Sequence, residues 1–402
     1  MARGAWDPIP GRAALPLQEE QQMYDGMNLA DPAWMDSFTS EIAAFAHEHR
    51  DELRRCNDRG EFPGEIYREM GRRGWVGPFA PTEHGGLGGG VQEYCVVEEE
   101  IGRTGLVSPQ ISTQGQRWLL DWGTPDQQDR YLGPMARGEI IFSESISEPG
   151  VGSSLKLMQA TARPDGDDWI LDGRKTHVNL GHQSQVTLLY VMAEQGLTAF
   201  LVDTDLDGVT TAQTDPIGLR LIPTADMIFE EVRVPSSAVL GEVGKGMDTF
   251  FSTFNISRLG NASELIGFGR RAMTDAIRYA QGREVGDGHV IDFQGIQWTV
   301  ADAYSALYGA SLARDRAARL ADQREDPALA TSLAKKMSIE AAELASSEAF
   351  ALVGGYGLYG NTDFGQILHD VKVLRIAGGS LEVLRNHVAR RVLRDASLEG
   401  LE

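Results

Sequence analysis

The sequence is poor in cysteine, in basic charge and in long apolar runs, and each shortage removes a class of function. Two cysteines, Cys56 and Cys95, in 402 residues cannot build a disulfide framework or a thiolate metal cage, so stability must come from a hydrophobic core. Both fall in helix-like surroundings and read as plain thiols, and no metal site is expected. With 37 Lys and Arg against 58 Asp and Glu, the net charge is -21, a field that repels nucleic acid and anionic membrane surfaces. No stretch approaches the roughly 20 apolar residues that cross a bilayer. The N-terminus, Met1-Ala-Arg-Gly-Ala-Trp6, carries no apolar leader, and a soluble cytoplasmic protein is the expectation.

What the sequence does contain is organised around residues 143 to 181. Ser147-Glu148-Pro149-Gly150-Val151-Gly152-Ser153-Ser154 is a glycine and hydroxyl loop, whose glycines let backbone N–H groups approach a ligand and whose serines add donors. Behind it, Trp169 to Val178 reads as two strands around a turn at Asp172-Gly173, because Asp-Gly between apolar runs is a hairpin signal. Helical periodicity is found before this segment, from residue 31 onward (Phe38, Ile42, Phe45 and Ala46 on one face) and in 63–74, 91–102 and 124–137. After it, apolar stripes along 294–321 and 329–352 predict long packed helices. Between them lie strand-like runs at 186–193, 198–203 and 227–235. The expectation is mixed α and β: an extended arm over 1–30, an N-terminal α-helical domain over 31–138, a middle antiparallel β-barrel over 139–245 and a C-terminal four-helix bundle over 246–402. His84, in the glycine-rich loop after Phe79, reads as structural or solvated.

Taken together, Ser147-Glu148-Pro149-Gly150-x-Gly152-Ser153, Asp172-Gly-x-Lys175, Arg283 with Gln294, Gly354-Gly355 and Ala377-Gly-Gly-Ser-Leu-Glu382 resemble the acyl-CoA dehydrogenase superfamily over about residues 35 to 395. The resemblance implies bound FAD, with Ile146, Ser147, Gly152, Ser153, His177 and Asn179 around the flavin. It also implies that Arg283, Gln294, Gly354, Gly355, Ser380 and Glu382 serve the phosphates and adenosine, Arg283 and Gln294 from a neighbouring subunit of a homodimer or homotetramer. Asn255 and Arg258 fall at positions that touch the pantetheine arm in the family.

Departures from the pattern matter as much. His177-Val178-Asn179 stands where the family has Trp-x-Thr or Trp-x-Ser. Removing an α-proton from an acyl thioester needs a base held against the α-carbon. The family's glutamate positions are occupied here by Gly378 and Ser257. His177 is a candidate for proton transfer, and Glu382 a weaker one. Three functions follow: an FAD-dependent oxidoreductase on a CoA-linked or carrier-protein-linked acyl thioester, a flavin-dependent monooxygenase on the same fold, or a non-catalytic subunit of a mixed oligomer. Electron-transfer flavoprotein, a flavin reductase or a carrier protein would be the corresponding partners.

Overall fold

Helices come first because the apolar residues of the N-terminal third recur at helical spacing. The computed structural model describes residues 32–395 apart from 153 and 361, so the expected arm over 1–30 lies outside the described residues. Six helices lead: α1 (Pro32–Glu48), α2 (Arg50–Arg59), α3 (Gly64–Arg72), α4 (Val91–Thr104), α5 (Gln110–Trp122) and α6 (Pro125–Ala136). α1 buries Ile42, Phe45 and Ala46, and α3 buries Ile66, Tyr67 and Met70 against Trp75, Val97 and Ile101. α6 begins where Thr124 and Gln127 cap each other and a proline takes the first turn. Two of these helices lack an apolar stripe. α2 buries only Leu53 and Cys56 among ten mostly charged residues, and α5 buries small polar groups, Ser112, Thr113 and Gln114 among them.

The middle of the chain forms one curled sheet of β1 (Phe142–Ser145), β2 (Thr161–Asp165), β3 (Asp168–Asn179), β4 (Val186–Ala193), β5 (Gly196–Asp203), β6 (Val209–Gln213) and β7 (Thr224–Pro235). The order is β1-β4-β2-β3-β7-β6, with β5 also on β4. Most pairs are antiparallel, as expected. β1 and β2 instead lie parallel to β4, and neither is joined to it by a hairpin. The expected turn at Asp172-Gly173 is not there: both residues lie inside β3, where the register with β7 shifts between Leu171 and Gly173. Asp172 Oδ1 accepts from the Glu231 N–H at 2.8 Å. A Cβ on Gly173 would stand 2.3 Å from Ala160 Cβ, so the glycine answers to close backbone approach at a bulge. The hairpin closes earlier, at Gly166 with φ 66°.

From Gly246 the chain is helical again: α7 (Gly246–Gly282), a two-residue ribbon β8 (Glu284–Val285) and β9 (Gly288–His289), α8 (Gln294–Asp322), α9 (Ala328–Val353), α10 (Phe364–Ile376) and α11 (Leu381–Asp395). Its core is built from Leu265, Ile266, Leu307, Ile339, Ala342, Ala345 and Leu384. α7 also meets α4 backbone to backbone. A Cβ on Gly267 would lie 2.2 Å from the Glu99 carbonyl, and one on Gly102 2.4 Å from that of Glu264. The first half of α7 therefore stands between the N-terminal helices and the sheet on one side and the bundle on the other.

Candidate active site

The glycine loop is held at its root by a buried ion pair. Lys175, on β3, donates to Glu148 Oε1 at 2.8 Å and to the Ile146 carbonyl at 3.2 Å. Glu148 also accepts the backbone N–H groups of Gln159 (2.7 Å) and Ala160 (3.0 Å). Burial pushes the Glu148 carboxyl up, but the Lys175 bond and these two amides outweigh it and hold the group below its usual range. Glu148 and Val151 close a tight ring of two backbone bonds, at 3.0 and 2.9 Å. Thr176 N–H donates to the Ser147 carbonyl at 2.9 Å. The tip is open: a Cβ on Gly150 or Gly152 would meet nothing within 4 Å. This strip of backbone, fixed at its base and bare at its rim, has the free amides and glycines that suit the phosphate and ring atoms of a dinucleotide. Ser153 lies outside the described residues.

Beside the loop, β3 bulges between Lys175 and Val178. His177 takes φ 56° there and is exposed, while Asn179 is half-buried on the last rung against Thr224. His177 and Asn179 thus share a strand with Lys175, and the loop and its expected neighbours are brought to one place.

A second group gathers where α7 meets the loop between α10 and α11. Arg258 is buried, with its guanidinium 4.2 Å from the Phe254 ring and Nη1 donating to Ser332 Oγ at 3.3 Å. Its Nε has no partner, and burial brings the group down to about 10. Lys335 is fully buried, donating to the carbonyls of Ala377 and Gly379. Burial, reinforced by Arg258, pulls its ammonium well below the usual lysine range. Ser332 Oγ also meets His387 Nδ1 at 2.7 Å. A Cβ on Gly378 would stand 2.4 Å from Asn261 Nδ2, 3.2 Å from Lys335 Nζ and 3.5 Å from Ser257 Oγ. The two positions read as sites of a missing base, Gly378 and Ser257, therefore lie close together, with the Asn261 amide and Lys335 packed against Gly378. Asn255, on α7 beside Phe254, is half-buried.

Of the remaining residues only Ser380, next to Gly379, lies at the second group; the others join neither group within the chain. Arg283 caps α7 at its C-terminal end, and Gln294 opens α8; both are exposed. Gly354 (φ 57°) and Gly355 follow α9 with nothing within 4 Å of an added Cβ. Ser380 is half-buried before α11, and Glu382 is exposed and paired with Arg375 at 3.0 Å.

Lys335, Asn261, Ser332 and His387 were not legible as site residues. Lys335 is followed by Lys336, and periodicity alone does not say which of the two turns inward. Among the described residues no group of three or more His, Cys, Asp or Glu side chains could hold a metal ion. No described helix is long and apolar enough to cross a membrane.

Comparison with known proteins agrees with this layout along the chain. Family models for the N-terminal, middle and C-terminal domains of acyl-CoA dehydrogenase match residues 35–139, 143–232 and 244–393. A 3-(aryl)acrylate reductase of Clostridium sporogenes is 34% identical over 83% of this chain and 91% of its own. The caffeyl-CoA reductase–Etf complex subunit CarC of Acetobacterium woodii is 32% identical over 85% and 93%. The solved butyryl-CoA dehydrogenase of Megasphaera elsdenii superposes with a TM-score of 0.87 at 23% identity, covering 92% of this chain and all of that one.

Proposed function

Because the chain belongs to the acyl-CoA dehydrogenase family, we propose that it is an FAD-dependent oxidoreductase that adds or removes hydrogen across the α,β-bond of an acyl thioester, carried on CoA or a carrier protein. The observation that carries this reading is the pinned, open-rimmed loop, held at its root by the buried Lys175–Glu148 pair. The relatives named as an aryl-acrylate reductase and a caffeyl-CoA reductase support an α,β-unsaturated acyl group as the oxidised partner.

Ile146, Ser147, Gly152, His177 and Asn179 would hold the flavin, and Ser153 belongs to the same motif. Arg283, Gln294, Gly354, Gly355, Ser380 and Glu382 would hold its phosphates and adenosine, Arg283 and Gln294 reaching across from a second copy. Exposed Val285, Phe293, Trp298, Leu358 and Tyr359 flank these positions and support a dimer or tetramer that covers them. When bound, FAD supplies the two-electron acceptor or donor. Asn255 and Arg258 bind the thioester arm, and Phe254 closes water from that side. The Etf complex of the CarC relative supports electron-transfer flavoprotein as the redox partner, and the acidic surface fits a cytoplasmic location. Breaks in the chain's texture at 138/139 and 245/246 would be its domain boundaries.

The test is the visible spectrum of the purified protein with FAD, followed by anaerobic butyryl-CoA and 3-phenylpropanoyl-CoA. Bleaching of the bound flavin, or reoxidation of the dithionite-reduced protein by cinnamoyl-CoA, is expected. A flavin that neither event touches would reject the thioester reading and leave the monooxygenase, and a protein that takes up no FAD would leave the structural subunit. Arg283→Ala should lower FAD occupancy at least about tenfold, since it removes a charge-assisted fork from a diphosphate; full retention would reject that placement.

A further inference from the structure

One carboxyl group near the loop has no counterpart. Glu144 lies in β1, three residues before Ser147, between Phe142 and Ile146. Ser143 and Ser145 turn to the opposite face, where they meet Ser184 (2.9 Å) and Thr187 (2.8 Å). Glu144 therefore points to the side that holds Phe142, Ile146, Tyr190 and Phe250. Part of the residue is open to solvent, but its Oε1 is closed off and makes no hydrogen bond; the same is true of the Tyr190 hydroxyl. The two groups are close enough that the Glu144 charge adds to burial in raising the Tyr190 phenol.

This orphaned pair sits at one end of a continuous aromatic wall. The Tyr190 ring meets Phe250 at 5.9 Å, Phe250 meets Phe254 at 5.1 Å, and Phe254 lies under Arg258. A Cβ on Gly379 would be 3.8 Å from the Phe254 ring. The wall runs from Glu144 to the loop that holds Gly378. Leaving a buried polar atom unpaired is costly, a cost that persists where a ligand completes the site. Two other buried carboxyl groups, Glu98 and Glu264, stand away from this wall, where α4 packs on α7; Glu98 accepts from Ser108 at 3.4 Å on Oε2, and its Oε1 too is unpartnered.

We propose that Glu144 is the acid–base residue of the site, exchanging a proton with the α-carbon of the thioester in place of the carboxylate that Gly378 and Ser257 cannot supply. This rests on the thioester reading above. In one direction the Cα–H bond breaks: the proton goes to Glu144, and the electron pair stays on the substrate as the thioester enolate. In the other direction protonated Glu144 returns the proton to the α-carbon. Burial pushes the Glu144 carboxyl up to about 8, which leaves both forms accessible near neutral pH.

The FAD-loaded protein in D2O, with butyryl-CoA or 3-phenylpropanoyl-CoA as probe, reads this directly as α-deuterium incorporation by mass spectrometry. Glu144→Gln should slow incorporation at least about 100-fold while leaving FAD content and thioester affinity unchanged. Glu144→Asp should keep part of the rate, and Glu144→Gln with Ser257→Glu should regain at least about tenfold. If Glu144→Gln loses FAD, Glu144→Asp decides: a rate per bound flavin equal to wild type overturns the proposal. Wild-type exchange in Glu144→Gln overturns it too, and if the probes still bleach the flavin, the thioester reading survives alone. A wild-type protein that neither bleaches nor exchanges would sink both.

Discussion

Glu99 and Glu144 both bury carboxyl oxygens, and they are held in opposite charge states. Glu99, on α4, is fully enclosed between Arg270 of α7 and Arg314 of α8; Arg270 donates to Oε1, and Arg314 to Oε2 at 2.8 Å. Burial alone would raise its pKa, but the two guanidiniums overcome it and bring the carboxyl down to about 2. Glu144 meets no cation, and burial pushes it up to about 8. The difference is therefore made by partners and not by depth. Around Glu99, where α4, α7 and α8 meet, the charge is matched inside the chain. Around the proposed site charges are left unmatched: Glu144 on the sheet side, Arg258 and Lys335 on the bundle side.

The strongest way to break this comparison is to remove each carboxylate in turn. Glu99→Gln strands two buried guanidiniums and should cost about 3–5 kcal/mol of unfolding free energy, measured by urea denaturation at pH 7. A loss under about 1 kcal/mol would mean that the cluster is solvated and structurally idle. Glu144→Leu should do the reverse. Replacing an unpaired polar group by an apolar one of similar size should leave stability unchanged or raise it by about 1 kcal/mol, while α-deuterium exchange disappears. Equal destabilisation by the two substitutions would show that Glu144 is also part of the architecture.

Much of the first region and little of the second was legible in the sequence. The helices that carry Glu99 and Arg314 follow from apolar periodicity, that of Arg270 came only with the family resemblance, and the Ser147–Gly152 motif located the loop. Its companion, Lys175, was visible as part of a pattern, but the reason for it, an ion pair across 27 residues, needed the fold. Glu144 was hidden because a charged residue in a strand ordinarily marks the solvent face. The only signal was its place between Phe142 and Ile146, where alternation calls for an apolar side chain. Asp172-Gly173 misled for a related reason: Asp-Gly serves turns and bulges alike, and only the closeness of Ala160 distinguishes them. α2 and α5 escaped notice because tertiary packing, not an apolar stripe, holds them.

The smallest expected effect is a difference in pH dependence. Glu99, with its folded pKa lowered, contributes stability that is present above about 4.5, the ordinary glutamate value, and is lost as pH falls toward about 2. Glu144, with its folded pKa raised, contributes stability that is full below about 4.5 and is lost as pH rises through about 8. Glu144→Gln removes only the second dependence. Between pH 5 and pH 8.5 the unfolding free energy of wild type should therefore fall relative to Glu144→Gln by at least about 1 kcal/mol, with the acid limb unchanged in both. Parallel curves would mean that the Glu144 carboxylate finds a partner when it ionises. The orphan on β1 would then be a second matched charge, and the two regions would differ in geometry alone.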